Sequence, residues 1–171
     1  PNYKYGISKK MIDVGQKLPD AEVMRVTVDG QETLRMAEYL ASKTVAIFAM
    51  PGAFTSTCSS SHLPNIIKHK KELYAKSVSD IAILVVNDTF VVREWGKHSG
   101  AFDAGLTMLA DASAAFTTAI GMDFSVPSIG YFNRSQRYAL LSKDGIAAKF
   151  LLEEARAKVL SSGANHLLEQ M

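Results

Sequence analysis

The stretch TVAIFAM at residues 44–50 is a short apolar run with several β-branched residues, typical of a strand buried on both faces of a sheet. It is followed at once by PGAFTSTC at residues 51–58, and then by a helical pattern that continues to residue 76. This order of strand, Pro-Gly turn and helix places Cys58 in or near the first helical turn. Backbone N–H groups there lack intrahelical partners and carry the positive end of the helix dipole, so a thiolate is favoured over a thiol.

Strands and helices alternate along most of the chain. The sequence predicts strands at residues 22–28, 44–50, 81–86, 106–110, 137–143 and 146–152, and helices at 33–40, 55–76, 89–98, 113–120 and from near Ser162 to the end. Thr33 is the expected N-cap of the first helix, and Pro64 is expected to kink or break the second. Asp29-Gly30 and Asp144-Gly145 are hairpin-type turns.

This alternation, followed by a hairpin, predicts an α/β fold: a mixed central sheet with helices on both faces. Right-handed crossovers place the helix after residues 44–50 against the sheet, with its N-terminus at the carboxyl edge of the strands. Ligands bind at that edge in open α/β sheets. A chain of 171 residues is most simply a single domain, 1–171, with a substantial core.

The composition excludes several classes of protein. A hydrophobic content of 47% and a charged content of 21% are ordinary for a globular protein. No apolar stretch approaches the ~20 residues that a membrane-spanning helix needs. The net charge of +2 gives no reason to propose nucleic acid or an acidic membrane as a partner. We therefore expect neither a nucleic-acid partner nor a membrane partner.

Cys58 is the single cysteine of the sequence. It excludes an internal disulfide and an internal dithiol redox couple, and it fits a reducing compartment. The first residues contain no secretory h-region. We therefore expect an intracellular location, either the cytoplasm or, if a transit peptide was removed, a mitochondrion.

Two interpretations of Cys58 compete, a reactive thiolate and an inert buried side chain. The neighbouring hydroxyls, from Thr55 to Ser61, predict a polar and partly open site, which argues against simple packing. Making the thiolate dominant at neutral pH takes roughly 2.7 kcal/mol, whereas a helix terminus supplies about 0.3–1 kcal/mol. A cation is therefore needed as well, and Arg134 and Arg137 at the start of a predicted strand are candidates.

Other chemistries are excluded by spacing. The chain has no C-x-x-C pair, and Pro64 stands where a cysteine phosphatase loop needs arginine. His62 lies four residues after Cys58, on the same helical face, where it could stabilise the thiolate, orient water or simply be hydrogen-bonded. The four histidines show no metal-ligand spacing, so we expect no metal and no cofactor.

Pro51, Thr55 and Cys58 match the P-x-x-x-T-x-x-C signature of peroxiredoxins. The longer string PGAFTSTCSSSHLP at residues 51–64 resembles the type II group of that family. The likeness continues through VND at 86–88, EWG at 94–96, LAD at 109–111 and RSQRYA at 134–139, and it ends at the C-terminal helix. It therefore covers nearly the whole chain.

The resemblance implies a thioredoxin-like fold with added elements, including an N-terminal hairpin, and thiol-dependent reduction of hydroperoxides. It makes Cys58 the peroxidatic cysteine, and Thr55 a hydrogen-bonding partner of the thiolate and the bound peroxide. It also implies that Pro51 shields the thiolate from water. The essential arginine of the family corresponds best to Arg137, with Arg134 as the alternative.

This chain departs from the family pattern in two ways. Ser56 stands where many members have proline, which should only loosen the loop. The second departure is the missing resolving cysteine, since Ile83, Ser161 and Ser162 occupy the positions where relatives carry it. An external thiol must therefore act, with glutathione, alone or with glutaredoxin, the first choice and thioredoxin the second.

The resemblance also implies a homodimer, because relatives of this type commonly form dimers with the active-site loops near the contact. Two other functions stay open at this point. Without a resolving thiol the Cys58 sulfenic acid could persist, which suits a peroxide sensor or a redox-regulated binding protein. A purely structural thioredoxin-like module is the third possibility.

Overall fold

The structure, a computed structural model, describes residues 10–171, which contain nine strands and five α-helices. The strands are β1 Glu22–Val26, β2 Gln31–Arg35, β3 Thr44–Ala49, β4 Asp80–Val85, β5 Thr107–Ala110, β6 Asp123–Val126, β7 Tyr131–Ser135, β8 Tyr138–Lys143 and β9 Ile146–Leu152. The α-helices are α1 Met36–Leu40, α2 Leu63–Ala75, α3 Thr89–His98, α4 Ala115–Ala119 and α5 Ala164–Gln170. A π-helical turn, Cys58–His62, precedes α2, and a 3-10 turn, Pro127–Ile129, follows β6.

Seven strands form one sheet in the order β2-β1-β5-β4-β3-β8-β9. The central strands β3, β4 and β5 are parallel, and β1 and β8 flank them antiparallel. The predicted mixed sheet and N-terminal hairpin, β1–β2, are both confirmed. The second predicted hairpin, β8–β9, turns at Asp144 and Gly145, whose φ angles of +50° and +74° suit a tight two-residue turn.

Helices cover both faces of this sheet, as predicted. Successive residues of β3 point to opposite faces, so Ala46 and Phe48 enter one core and Val45 and Ile47 enter the other. The first core is closed by α2, α3 and α5, and the second by α1 and α4. All of these β3 side chains are fully buried, which explains why this strand is apolar throughout.

The predicted helix at residues 33–40 is wrong in its first half. Thr33 lies in β2, where it pairs with Met24, and α1 begins only at Met36. The turn before β2 is closed by hydrogen bonds from Thr27 N to Gly30 O (2.9 Å) and from Gly30 N to Thr27 Oγ1 (3.0 Å). This turn brings the next residues alongside β1, and the strand pairing outweighs their helical spacing.

The predicted long helix at residues 55–76 is present but changes its hydrogen-bond pattern. Ser56 and Thr57 are already helical, Cys58–His62 forms the π-helical turn, and α2 follows. Leu63 N donates to Cys58 O across five residues. Pro64 sits in the first turn of α2, where its missing N–H removes one bond of the normal ladder, so the predicted break is confirmed.

A second, two-stranded sheet formed by β6 and β7 was not predicted. Its strands are only half-buried and mix aromatic with polar residues, so they lack the apolar runs that identified the central strands.

In the described range, no helix has both the length and the apolar character needed to cross a membrane.

The carboxyl ends of β3 and β4 are tied together. Ala53, just after β3, donates its backbone N–H to Asn87 Oδ1 (2.9 Å), just after β4. The next residue, Asp88, caps α3 by accepting hydrogen bonds from Phe90 N (2.9 Å) and Val91 N (3.0 Å). The loop that leads to Cys58 is thereby held at the carboxyl edge of the sheet.

Candidate active site at the carboxyl edge of the sheet

Cys58 lies in the first turn of the helix that follows β3, as predicted. Its side chain is fully buried in the core that contains Phe48, so the expected partly open site is wrong. The neighbouring hydroxyls do not open the site because they are hydrogen-bonded within their own helix or to α3. Ser59 Oγ accepts a hydrogen bond from Trp95 Nε1 (3.0 Å), and Ser60 Oγ donates to Ser56 O (2.6 Å).

The structure brings Arg137, and not Arg134, to the sulfur. Arg137 directly precedes β8, which pairs with β3, and its side chain is buried with 3% exposure. Its Nη2 donates to Cys58 Sγ at 3.2 Å. Within residues 10–171, no carboxylate lies within 4.0 Å of this guanidinium. An unpaired buried cation is costly, and a thiolate at Cys58 would supply its counter-charge.

Three further hydrogen bonds orient the Arg137 guanidinium. Nε and Nη2 donate to the main-chain carbonyl of Arg156 at 3.2 and 3.1 Å. Nη1 donates to Nδ1 of His62 at 3.0 Å. The planar fork of arginine can satisfy all of these acceptors and the sulfur at once, which a lysine ammonium cannot do.

His62 is fully buried and holds Arg137, not the sulfur. Its Nε2 is 2.9 Å from Ser162 O, and because a carbonyl only accepts, Nε2 carries the hydrogen and Nδ1 accepts from Arg137. Burial, together with the Arg137 charge, lowers the pKa of His62 to about 3, so the ring is neutral at pH 7.

Glu153 holds in place the Ser162 carbonyl that accepts the hydrogen bond from His62. Its carboxylate accepts hydrogen bonds from Leu160 N (2.7 Å), Ser162 N (3.0 Å) and Ser162 Oγ (2.8 Å). Burial raises the pKa of Glu153, but these hydrogen bonds outweigh it and leave the pKa below its ordinary value. Glu153 follows β9 directly, so the sheet determines where Ser162 lies.

The Pro51 loop is held by the other arginine. Arg134 Nη1 donates to Pro51 O at 3.1 Å. A β-carbon at Gly52 would lie 2.4 Å from that same Nη1, so only glycine lets the guanidinium pack against the loop. Pro51 itself is buried.

Thr55 Oγ1 donates to Gly52 O at 2.7 Å. Its hydrogen is therefore already used, and the lone pairs of this hydroxyl are left to accept a hydrogen bond. Among the described residues, the expected hydrogen bond between the Thr55 hydroxyl and Cys58 Sγ is therefore not formed.

Two residues of this arrangement had no signal in the sequence. Arg156 and Ser162 act through main-chain carbonyls, which every residue carries, so side-chain chemistry could not reveal them.

In the described part of the chain, no group of three or more His, Cys, Asp or Glu side chains could hold a metal ion.

Comparison with known proteins gives the family. A family model described as Redoxin matches residues 13–167. The chain is 44% identical over 160 residues to peroxiredoxin-2E-2, chloroplastic, of Oryza sativa subsp. japonica, covering 91% of this chain and 71% of that protein. It is 36% identical over 160 residues to peroxiredoxin-2E, chloroplastic, of Arabidopsis thaliana, covering 91% and 68%.

The chain belongs to the peroxiredoxin family. It is thus a thiol-dependent peroxidase, and its single cysteine makes it a one-cysteine variant of the type II group. The crystal structure of reduced Prx3 from Vibrio vulnificus in complex with H2O2 matches it with a TM-score of 0.86 and 39% identity, covering 94% of this chain and 99% of that one. The predicted thioredoxin-like fold is confirmed.

The buried, neutral His62 predicts how stability depends on pH. Its native pKa of about 3 is below the ordinary 6.5, so its contribution to stability is fully present above pH 6.5 and is lost as the pH falls toward 3. We expect the free energy of unfolding to fall by up to about 1.4 kcal/mol per pH unit from this residue. Urea unfolding of the peroxiredoxin and its His62→Gln variant across this interval checks it. Equal pH dependence of the two proteins would contradict the prediction.

Proposed function

We propose that this peroxiredoxin reduces hydrogen peroxide and alkyl hydroperoxides through a sulfenic acid at Cys58, and that an external thiol restores the cysteine. The observation that carries the proposal is the contact of 3.2 Å between Cys58 Sγ and the buried Arg137 guanidinium, which has no carboxylate partner in the described range. The similar Prx3 of Vibrio vulnificus was crystallised in its reduced form with H2O2, which supports the choice of substrate.

The proposed chemical step is a displacement on the peroxide. The Cys58 thiolate attacks one oxygen, the S–O bond forms, the O–O bond breaks, and hydroxide or alkoxide leaves and is protonated to water or alcohol. Negative charge moves from sulfur along the O–O axis, so fixed donors beside that axis stabilise the transition state more than the ground state. Arg137 and the Cys58 backbone N–H are the proposed donors.

Thr55 and Pro51 complete the proposed site. Because the Thr55 hydrogen is donated to Gly52 O, its oxygen is free to accept the hydrogen bond of the peroxide O–H. The buried Pro51 ring keeps water from the thiolate. Since Cys58 is fully enclosed, a peroxide reaches it only when the surrounding loops part.

An external thiol completes the proposed cycle because the sequence has no second cysteine. A thiol R–SH attacks the sulfenic acid, which gives a Cys58–S–S–R disulfide and water. A second thiol then attacks the sulfur bonded to R in this mixed disulfide. This step releases the Cys58 thiol and gives the disulfide of the two reductant molecules. Glutathione, alone or with glutaredoxin, is the first proposed reductant, and thioredoxin is the second.

The proposed setting is an intracellular reducing compartment. The cytoplasm and the mitochondrion are the expected compartments. The relatives from Oryza and Arabidopsis are named as chloroplastic, so a plastid is a third candidate.

The proposed homodimer would place active-site loops near its contact. Two exposed rings support this, since Phe54 lies in the loop between Pro51 and Cys58 and is 52% exposed, and Phe90 is the second residue of α3 and is 70% exposed.

The Cys58–Arg137 contact predicts how two substitutions affect the peroxide reaction. Cys58→Ser should abolish peroxide reduction. Arg137→Lys keeps the charge but loses the planar fork, so the rate constant should fall roughly a hundredfold or more. Stopped-flow consumption of hydrogen peroxide measures both. Arg93→Gln, which removes a half-buried charge that contacts the β1–β2 hairpin, is the control. Undiminished reduction by the serine variant would overturn the proposed mechanism.

The choice of reductant is tested by steady-state turnover. With hydrogen peroxide saturating, we expect a higher kcat/KM with glutathione and glutaredoxin than with thioredoxin and its reductase. The Cys58→Ser variant gives the background rate. If thioredoxin gives the higher kcat/KM, the proposed order of reductants is wrong.

We further propose that His62 is a positioning residue for Arg137. Its ring lies between Ser162 O and Arg137 Nη1, so the main chain before α5 orients the guanidinium that contacts the sulfur. The two hydrogen bonds can be separated by mutation. The side-chain oxygen of asparagine is two bonds from Cβ, as Nδ1 is in histidine, so it can replace Nδ1 as the acceptor. The amide nitrogen of glutamine is three bonds from Cβ, as Nε2 is in histidine, so it can replace Nε2 as the donor.

His62→Asn should therefore keep the acceptor for Arg137, and His62→Gln should keep the donor to Ser162 and lose that acceptor. We expect the peroxide rate constant of the Asn variant to stay within about threefold of wild type, and that of the Gln variant to fall roughly ten- to a hundredfold. Urea unfolding of both variants provides the control for stability. Equal rate losses in the two variants would mean that His62 only fills space.

A further inference from the structure

Two further arginines have side chains that are less buried than that of Arg137: Arg134 is half-buried and Arg156 is exposed. Both stack on one aromatic ring, since Arg134 Cζ is 4.8 Å and Arg156 Cζ is 5.6 Å from the centre of the Tyr131 ring. Arg156 also lies 5.8 Å from the centre of the Phe124 ring. Neither has a carboxylate within 4.0 Å in the part of the chain that the structure describes.

Both residues adjoin the site of the sulfur, Arg134 through its side chain and Arg156 through its main-chain carbonyl. Arg134 donates to the carbonyl of Pro51 at 3.1 Å. The carbonyl of Arg156 is 3.1 Å from Arg137 Nη2, and that nitrogen is 3.2 Å from Cys58 Sγ. Arg134 therefore holds the loop that leads to Cys58, and the main chain of Arg156 holds the guanidinium that contacts its sulfur.

The donors of these side chains are largely unused. No side-chain hydrogen bond joins the Arg156 guanidinium to an acceptor in residues 10–171, and Arg134 uses only Nη1. The rings of Tyr131 and Phe124 restrain both side chains, so less entropy is lost when they bind a ligand. Both cations lie over the Tyr131 ring, and an anion bound to both would reduce the repulsion between them.

From this arrangement we propose that Arg134 and Arg156 form a carboxylate-binding subsite at the entrance to Cys58. The inference rests on the proposed function, since the occupant is a small molecule that reacts there. A carboxylate fits because its two oxygens match the paired N–H donors of a guanidinium. It can belong to a carboxylate-bearing thiol that attacks the Cys58 sulfenic acid, or to a carboxylate-bearing hydroperoxide that oxidises Cys58.

The test compares each probe with its ester in the wild type, Arg156→Gln and the matched control Arg93→Gln. Arg93 also lies over a ring, that of Phe90 at 5.8 Å, and its loss changes the net charge equally. In the thiol arm, glutathione and its diethyl ester reduce the sulfenic acid. In the peroxide arm, linoleic acid hydroperoxide and its methyl ester oxidise the thiol.

We expect the acid-to-ester rate ratio to fall roughly three- to tenfold in Arg156→Gln and to stay unchanged in Arg93→Gln, in one arm or both. The arm that responds identifies which molecule carries the carboxylate. High ionic strength should lower the same ratio in the wild type. Unchanged ratios in both arms overturn the subsite.

A binding measurement separates this proposal from the proposed function. S-methylglutathione cannot react with Cys58, so its affinity reports on the subsite even if Cys58 proves unreactive. Calorimetry should show tighter binding to wild type than to Arg156→Gln by a similar factor, and weaker binding of its diethyl ester. Equal affinities overturn the subsite, whereas a slow reaction of wild type with hydrogen peroxide overturns only the proposed peroxidase chemistry.

Discussion

A guanidinium buried against a sulfur is the interaction on which the site depends. Arg137 is almost fully removed from water and meets Cys58 Sγ at 3.2 Å, with no carboxylate beside it in the described range. A buried charge without a counter-ion is costly, and in the proposed mechanism a thiolate at Cys58 would supply that counter-ion. The same burial would strengthen the interaction of the proposed donors with the reacting groups, because water is excluded there.

The surrounding structure serves to keep that guanidinium in one orientation. It is held by a neutral histidine, His62, and by the carbonyl of Arg156, and the histidine is held in turn by the carbonyl of Ser162. Glu153 fixes Ser162 from the end of β9. The central sheet, the π-helical turn and the segment before α5 therefore all meet at one side chain, so residues far apart in the sequence are needed to build the site.

Comparison of prediction and structure shows which kinds of signal a sequence carries. The apolar run of β3 and the Asp144-Gly145 turn were predicted correctly, because burial on both faces and positive φ restrict the residues that can occupy them. Thr33 was misplaced because its segment has helical spacing yet pairs with β1. The open site expected around Cys58 was wrong because the serine hydroxyls beside it bond within the helix and to Trp95.

The family, the position of the thiol at a helix start and the lack of a second cysteine in the sequence could all be predicted in advance, since they depend only on residue type and order along the chain. Tertiary structure alone decided which arginine meets the sulfur, and that His62 acts on Arg137. Arg134 and Arg137 are three residues apart, and β7 ends between them, so only the docking of β8 on β3 separates their roles. Main-chain carbonyls complete the site, and no residue type encodes where a carbonyl will point.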